Sequence, residues 1–281
     1  MDFMSESLIT HVSDTALLVA ACRALETEEP DGFIRDPFAA RLAGDRGMAM
    51  LQAMPHPEMM RFGICVRTRF MDELLLEALA SQRIATVLSV GCGLDTRPWR
   101  LDLPAGLRWI EVDFPDMLDY KESLLSADTP RCRRERFTAD INDAAQRSAF
   151  YASAGQDPAL MITEGLLMYL PGATIEALAE EVPRHSGITR WMTDINTTAF
   201  QKAINMDLRR TVGHVQASDS LKGEQILDVV RRHGWNTTAH RSYITDMAFA
   251  MSRIVKMMGE RPSGPPPGLD GDPTGIHVWS R

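Results

Sequence analysis

The chain has 281 residues, 44% of them hydrophobic and 24% charged, with a formal net charge of −8. A chain of this length can bury a full α/β core as one domain with additions. The acidic balance argues against a nucleic-acid backbone as a partner, because such binding depends on a basic face.

Residues 1–83 are predicted to form a helical region that acts as a lid on the rest of the chain. Apolar residues at helical spacing begin near residue 16, and Asp36-Pro37 is expected to open a second short helix. A longer helix covers residues 66–79, with Arg67 at the edge of its apolar stripe.

Residues 84–281 are predicted to form the core, because strand and helix patterns alternate there as in a parallel sheet with helices on both faces. A mostly helical insertion is expected at about 196–220. The predicted strands lie near 85–90, 107–112, 135–139, 159–163, 187–194, 235–243 and 276–279, and the predicted helices near 115–126, 142–154, 172–184 and 223–233. The stretch 262–275, rich in proline and glycine, is expected to be a long hairpin loop near the mouth of the site.

The first predicted strand ends in a glycine turn. Gly91 and Gly93 follow a short apolar β-branched run, and the second strand ends in Asp113, twenty residues after Gly93. Glycines let a backbone approach a ligand closely, and a carboxylate at this place accepts the two hydroxyls of a ribose. The pattern predicts half of a Rossmann nucleotide site.

The absence of a third glycine in this turn indicates which kind of nucleotide it binds. A dinucleotide fingerprint needs glycine at position 96, where this chain has Thr96. An adenosine ligand without phosphates fits better, and S-adenosylmethionine is the commonest such ligand. An NAD site or a purely structural turn stays open on this evidence, and Asp95 and Arg97 are interpreted as a local ion pair that supports the turn.

Acids also follow the third and fourth predicted strands, at Asp140 and Glu164. In an open parallel sheet, ligands bind outside the carboxyl ends of the strands. A single acid there commonly caps the next helix, but a glycine turn or acid at four consecutive strand ends predicts a binding site for a cationic ligand with ribose hydroxyls.

Six ordered motifs within residues 8–240 resemble the leucine carboxyl methyltransferase family, most closely its bacterial branch of polyketide-type carboxyl O-methyltransferases. The resemblance implies a Rossmann-like class I fold, S-adenosyl-L-methionine as cofactor, and methylation of a small-molecule carboxylate. The motifs begin at Val12, Arg35, Arg67, Gly91, Glu111 and Glu164.

The resemblance also implies roles at the methionine end of the cofactor. Arg67 corresponds to the arginine that holds the cofactor's carboxylate, a charge-assisted contact suited to a guanidinium. Gly91 lies under the methionyl part, Gly93 completes the turn, and Glu164 corresponds to the acid near the amino group. Cys92 departs from the family's usual small residue, a mild change that should not block binding.

At the other end of the cofactor, Asp113 corresponds to the ribose-binding acid. Asp140 and Ile141 correspond to the adenine-binding pair, in which the acid takes the amino group and the next backbone N–H takes a ring nitrogen. Tyr169 is the candidate for orienting the acceptor, although a core tyrosine is an equal alternative.

A carboxylate acceptor is already ionised at neutral pH and needs no general base, whereas a phenol would be helped by one. No histidine has an evident place beside the methyl group, although His185, His214 and His240 stay open as bases. The acceptor pocket is expected to include methionine and aromatic side chains of the N-terminal helices and the insertion. These are Met4, Phe33, Met59, Met60, Phe200 and Met206.

Four alternative functions stay open. The first two are methylation of a phenol or other hydroxyl and methylation of a protein C-terminal carboxylate. The third is a cofactor-binding protein with a different or lost activity, and the fourth is an NAD-dependent oxidoreductase.

The sequence indicates a cytoplasmic protein without a membrane span. The apolar run at 16–22 is too short to cross a bilayer and lacks a preceding basic segment. Four cysteines lie far apart, which favours reduced thiols, and no metal-ligand spacing occurs among the histidines.

Overall fold

The computed structural model describes residues 12–81, 83–185, 187–204, 215–259, 262 and 264–281. The strands are β1 (Thr86–Val90), β2 (Arg108–Asp113), β3 (Arg133–Thr138), β4 (Ala159–Thr163), β5 (Ile188–Ile195), β6 (Asn236–Ser242) and β7 (Gly275–Ser280). The helices are α1 (Val12–Glu28), α2 (Ala39–Gln52), α3 (Pro57–Ser81), α4 (Arg97–Arg100), α5 (Pro115–Leu125), α6 (Ala144–Ser153), α7 (Gly172–Glu181), α8 (Thr198–Ala203), α9 (Gly223–Arg232) and α10 (Met251–Met258).

The seven strands form one sheet in the order β3-β2-β1-β4-β5-β7-β6. Strands β1 to β5 pair in parallel, and β7 runs antiparallel between β5 and β6. The chain builds outward from β1 to β3 and then returns to the other side of β1 with β4. This reversal opens a crevice at the carboxyl ends of β1 and β4, where α/β sheets bind their ligands.

Helices cover both faces of the sheet, because successive side chains of a buried strand point to opposite sides. Leu88 of β1 packs in the cluster that holds α6, α7 and α9, whereas its neighbour Val87 packs in the cluster that holds α3. A third cluster joins α1, α2 and α3 beside the glycine turn. The predicted α/β, Rossmann-like fold is confirmed, as are the predicted strands and core helices within a few residues at their ends.

Three local predictions were wrong or only partly right. Asp36-Pro37 lies in the turn just before α2, where one Asp36 carboxylate oxygen accepts the backbone N–H of Phe38 at 3.1 Å and the other accepts the Arg23 and Thr96 side chains. Strands β6 and β7 pair, but their connection is no simple hairpin loop, since it contains the unpredicted helix α10 before the proline-rich stretch. In the predicted insertion only Thr198–Ala203 is helical among its described residues, and 205–214 lie outside them.

No helix in the described ranges is long and apolar enough to span a bilayer. The same ranges contain no group of three or more histidine, cysteine or acidic side chains arranged to hold a metal ion.

Candidate functional site

The glycine turn after β1 forms the floor of the crevice. Gly91 and Gly93 adopt φ angles of 61° and 45°, in the left-handed region that favours glycine. The backbone N–H of Gly91 donates to the carbonyl of Val112 at 2.8 Å, which fixes the turn to β2. A Cβ atom on Gly91 would lie 2.7 Å from the side chain of Leu166, so the backbone there is closely covered.

Asp113, at the end of β2, faces the same cavity and stabilises the turn. One carboxylate oxygen accepts the N–H of Gly93 at 2.7 Å, and the other accepts the N–H of Phe114 at 2.8 Å. Burial raises the pKa of Asp113, against the lowering effect of these two donors. Each carboxylate oxygen has a second lone pair, so Asp113 can hold the turn and still accept hydrogen bonds from a ligand.

Asp140 and Ile141 lie beyond the end of β3 and also line the cavity. Asp140 accepts the backbone N–H of Asn142 at 2.9 Å, and its own N–H donates to the Gln146 side chain. Ile141 is buried. The local loop therefore fixes the Asp140 backbone while its carboxylate stays at the cavity wall.

Glu164, after β4, is bound by two arginines. Its carboxylate accepts Arg67 Nε at 2.9 Å and Arg97 Nη1 at 2.7 Å. Burial alone would raise the pKa of Glu164, but the charges of Arg97 and Arg67 outweigh it and hold that pKa at about 2. Arg67 also lies 3.5 Å from the carboxylate of Asp194, a neighbour that no sequence motif indicates.

A buried network of charged side chains connects Glu164 and its two arginines to the N-terminal helices. Arg97 contacts Asp95 at 3.0 Å, as predicted, but also Asp72 of α3 at 2.6 Å. Asp72 accepts Arg100 at 2.5 Å. Farther along, Arg23 of α1 pairs with Asp36 and donates to the Leu94 carbonyl of the glycine turn. Apart from Asp95 and Arg97, the paired residues lie far apart in the chain, and no local motif predicts that they meet.

Tyr169 lies on a short 3₁₀ turn, Leu167–Tyr169, and lines the cavity. Its hydroxyl is hydrogen-bonded to the Thr15 side chain of α1, and burial raises its pKa. The tyrosine therefore joins α1 to the loop after β4, in addition to any role it has toward an acceptor.

The strand-end residues, Arg67 and Tyr169 line one cavity of about 1260 Å³. A pocket for a single drug-sized ligand typically measures about 300–1,000 Å³, so the cavity has room for more than one small molecule. Arg67, Gly91, Gly93, Asp113, Asp140, Ile141, Glu164 and Tyr169 all lie in its wall. The structure thus brings every predicted site residue together.

The predicted acceptor-pocket residues divide into three groups. Met59, Met60 and Phe200 line the cavity. Phe33 does not, because its ring packs edge-on against Phe62 and Phe249. Met4 and Met206 lie outside the described residues.

Of the histidines in the described part of the chain, none lines the cavity. His240 stacks on His277 instead, and His185 packs beside Tyr151. His214 lies outside the described residues.

The sheet order and the crevice define the Rossmann-like fold of methyltransferases, and comparisons with known proteins agree. A solved structure of a DUF574 family protein from Streptomyces avermitilis superposes with a TM-score of 0.55 at 17% identity, covering 93% of this chain and 96% of the other. A structure from Thermobifida fusca, named as a methyltransferase, gives a TM-score of 0.51 at 18% identity, with 100% and 99% covered. At these identities the likeness concerns the fold alone.

Sequence comparison identifies the family. The model of the leucine carboxyl methyltransferase family matches residues 16–183. A Streptomyces avermitilis protein named as an S-adenosyl-L-methionine-dependent methyltransferase is 37% identical over 267 residues, covering 89% of this chain and 92% of the relative. A similarly named protein from Streptomyces coelicolor is 31% identical over 265 residues, with the same coverage. The chain belongs to the leucine carboxyl methyltransferase family, which confirms the resemblance drawn from its motifs.

Proposed function

We propose that this S-adenosyl-L-methionine-dependent methyltransferase transfers the methyl group to a carboxylate of a small, natural-product-like acceptor and forms a methyl ester. The observation that carries the proposal is the cavity itself. It combines charged strand ends suited to the cofactor with a large apolar wall, and its described lining contains no histidine base. A carboxylate needs no base, since it is ionised at neutral pH.

The residues at the methionine end fit the cofactor. Arg67 presents five N–H donors in a fork suited to a carboxylate, and its contact with Glu164 leaves donors for the cofactor. Glu164 keeps its negative charge at neutral pH, so its carboxylate would accept a hydrogen bond from the cofactor's amino group. The left-handed turn at Gly91 and Gly93 lets the methionyl part lie against the backbone.

At the nucleoside end, the Asp113 carboxylate would accept the ribose hydroxyls while it holds the turn at Gly93. Asp140 would accept the adenine amino group, and the backbone N–H of Ile141 would donate to a ring nitrogen. The same strand-end positions that the family motifs indicate therefore carry donors and acceptors of the required kinds.

When bound, S-adenosyl-L-methionine supplies a sulfonium methyl group that passes to a carboxylate oxygen as the carbon–sulfur bond breaks, leaving a neutral thioether. The protein contributes position and exclusion of water, both of which accelerate an in-line displacement. The N-terminal region, residues 1–83, is proposed to cover the site. Thr15 of α1 is hydrogen-bonded to Tyr169, and a Cβ at Gly93 would lie 3.3 Å from Ala16.

The proposal also concerns the kind of acceptor and the cellular compartment in which the reaction takes place. The net charge of −8 favours a small-molecule acceptor over nucleic acid. All four cysteines, at positions 22, 65, 92 and 132, are free thiols, which supports a reducing, cytoplasmic compartment.

Mass spectrometry of the reaction products of a panel of carboxylic acids and phenols tests the proposed function. We expect carboxylic acids to gain the mass of one CH2 unit, because a methyl group replaces the acid proton, and mild alkali to reverse the gain. A methyl group that resists alkali would be an ether or N-methyl group, and such a product would refute the ester assignment.

A further inference from the structure

Charge is unevenly distributed over the lining of the cavity. Each charged lining residue precedes position 165, as in Arg67, Asp113 and Glu164. Of the described lining residues from Asn196 onward, none is charged. The charged lining residues form one part of the cavity. The uncharged lining residues from Asn196 onward form a chemically different part, here called the second wall.

Helix α10 contributes apolar side chains to the second wall. Met251, Ile254 and Met257 recur at helical spacing and line the cavity, followed by Pro262 and residues 264–267. On another side of the helix, Arg253 pairs with Glu26 of α1 at 2.7 Å, which fixes the orientation of α10. A methionine-rich surface adapts to irregular apolar molecules.

Tyr243 lies where the two parts meet. Its ring lines the cavity and stacks at 6.1 Å on Phe70 of α3, with Phe200 of the second wall at the same distance. Its hydroxyl is buried and has no hydrogen-bond partner in the described structure. Leaving a buried polar group unpaired is costly, so such a hydroxyl in a ligand cavity points to a ligand that satisfies it.

The electrostatic surroundings define what this hydroxyl can do. Burial and then the negative charge of Asp194 raise the pKa of Tyr243 well above its ordinary value, with Arg67 acting in the opposite direction. The phenol is therefore protonated at neutral pH and acts as a donor, not as a base. An anionic acceptor oxygen is a suitable partner for it.

We propose that Tyr243 donates a hydrogen bond to the acceptor's carboxylate, and that the wall formed by α10, Pro262 and residues 264–267 binds an apolar acceptor body. This inference rests on the proposed function and deepens it. The acceptor class is a small carboxylic acid with an extended apolar part, in preference to the polar backbone of a protein C-terminus.

Binding to the protein loaded with S-adenosylhomocysteine, the demethylated form of the cofactor, tests the inference without turnover. The probes are dodecanoic acid, 2-naphthoic acid and a pentapeptide ending in leucine, measured by calorimetry. We expect the two apolar acids to bind and the peptide to bind at least about tenfold more weakly. Equal or tighter binding of the peptide, or no binding of either acid, would overturn the assignment of the acceptor class.

Tyr243→Phe tests the hydrogen bond. It should weaken binding of the acid probes about tenfold or more, because one bond to a charged group is lost, and leave the affinity for S-adenosyl-L-methionine unchanged. Tyr151→Phe is the matched control, since Tyr151 is a buried tyrosine of α6 outside the cavity lining. If both variants bind the acid probes as tightly as the parent protein does, Tyr243 does not have the proposed role.

Ile254→Asp tests the apolar wall, with Ser252→Asp on the exposed side of α10 as the control. Only the first should abolish binding of the acids while cofactor affinity is retained. If Ile254→Asp lowers the unfolding midpoint, Met257→Gln tests the same wall with a milder change. Unaltered acid binding in a folded variant contradicts the proposal.

The two proposals fail in different ways. If carboxylic acids are methylated but Tyr243→Phe and the α10 variants behave like the parent, the inference fails and the proposed function stands. If the acids bind as expected but only phenols are methylated, the proposed function fails.

Discussion

Replacing Glu164 by glutamine should destabilise the protein strongly, because it removes a buried negative charge from between two arginines. Glu164 accepts Arg67 at 2.9 Å and Arg97 at 2.7 Å, and its side chain is only 17% exposed. Glutamine keeps the shape of the side chain but cannot neutralise either guanidinium. Arg97 keeps two other carboxylate partners and Arg67 keeps one, so each buried guanidinium loses part of its compensating charge, and such a loss is costly at a buried site.

The pKa gives the size of the effect. A fall in the pKa of Glu164 from its ordinary 4.5 to about 2 corresponds to about 3 kcal/mol of folding free energy. Because the pKa is lower in the folded protein, the unfolded chain binds the proton more readily. This stability is fully present above pH 4.5 and is lost as the pH falls toward 2.

Urea denaturation of the parent protein and the Glu164→Gln variant measures this difference. At pH 7 the variant should be about 3 kcal/mol less stable, and the gap should narrow as the pH falls below 4.5. Glu176→Gln is the control, since Glu176 pairs with Arg232 and His233 at the surface, where an ion pair contributes under about 1 kcal/mol. Equal effects of the two substitutions at pH 7 would refute the argument.

The other predictions concern the ligand and the reaction. Asp113→Ala should weaken binding of S-adenosyl-L-methionine by about 1–3 kcal/mol in calorimetry, because the ribose hydroxyls lose their acceptor, and unchanged affinity in a folded variant contradicts the assignment. Gly91→Val should abolish cofactor binding, since its φ of 61° and the contact with Leu166 leave no room for a side chain; normal binding would make the turn purely structural. Initial rates should stay nearly constant from about pH 6 to 9, because an acceptor carboxyl group with a pKa near ~4 is ionised throughout, whereas a steep rise with pH indicates a phenol. Tyr169→Phe should lower turnover with little change in cofactor affinity, and no change in either makes it a core residue.

The parts of the site that were predictable from sequence depend on neighbours along the chain. A buried strand, a glycine turn and an acid at the next strand's tip follow from periodicity and backbone freedom, so Gly91, Gly93 and Asp113 were placed correctly in the cavity. The parallel orientation of β1 to β5 likewise follows from the alternation of strands and helices along the chain. The position of β7 between β5 and β6 required the structure, because antiparallel pairing at a sheet edge leaves no local signal.

Helix α10 was missed because it is short and adjoins a stretch rich in proline and glycine. Eight residues give too few turns for a reliable period, and such a helix is stable mainly through the apolar surface that it covers. Its contribution to the cavity wall depends on contacts such as that between Arg253 and Glu26, which are 227 positions apart.

The sequence alone determined the family, the parallel part of the sheet and the residues at the strand ends, because each rests on ordered local patterns. Only the tertiary structure decided how their charges combine. Glu164 meets Arg97 and Arg67 across 67 and 97 positions, and the hydroxyl of Tyr243 is buried without a hydrogen-bond partner among the described residues. The physical reason is that ion pairing and desolvation depend on distance and burial in space, and residues far apart in the chain acquire both only when it folds.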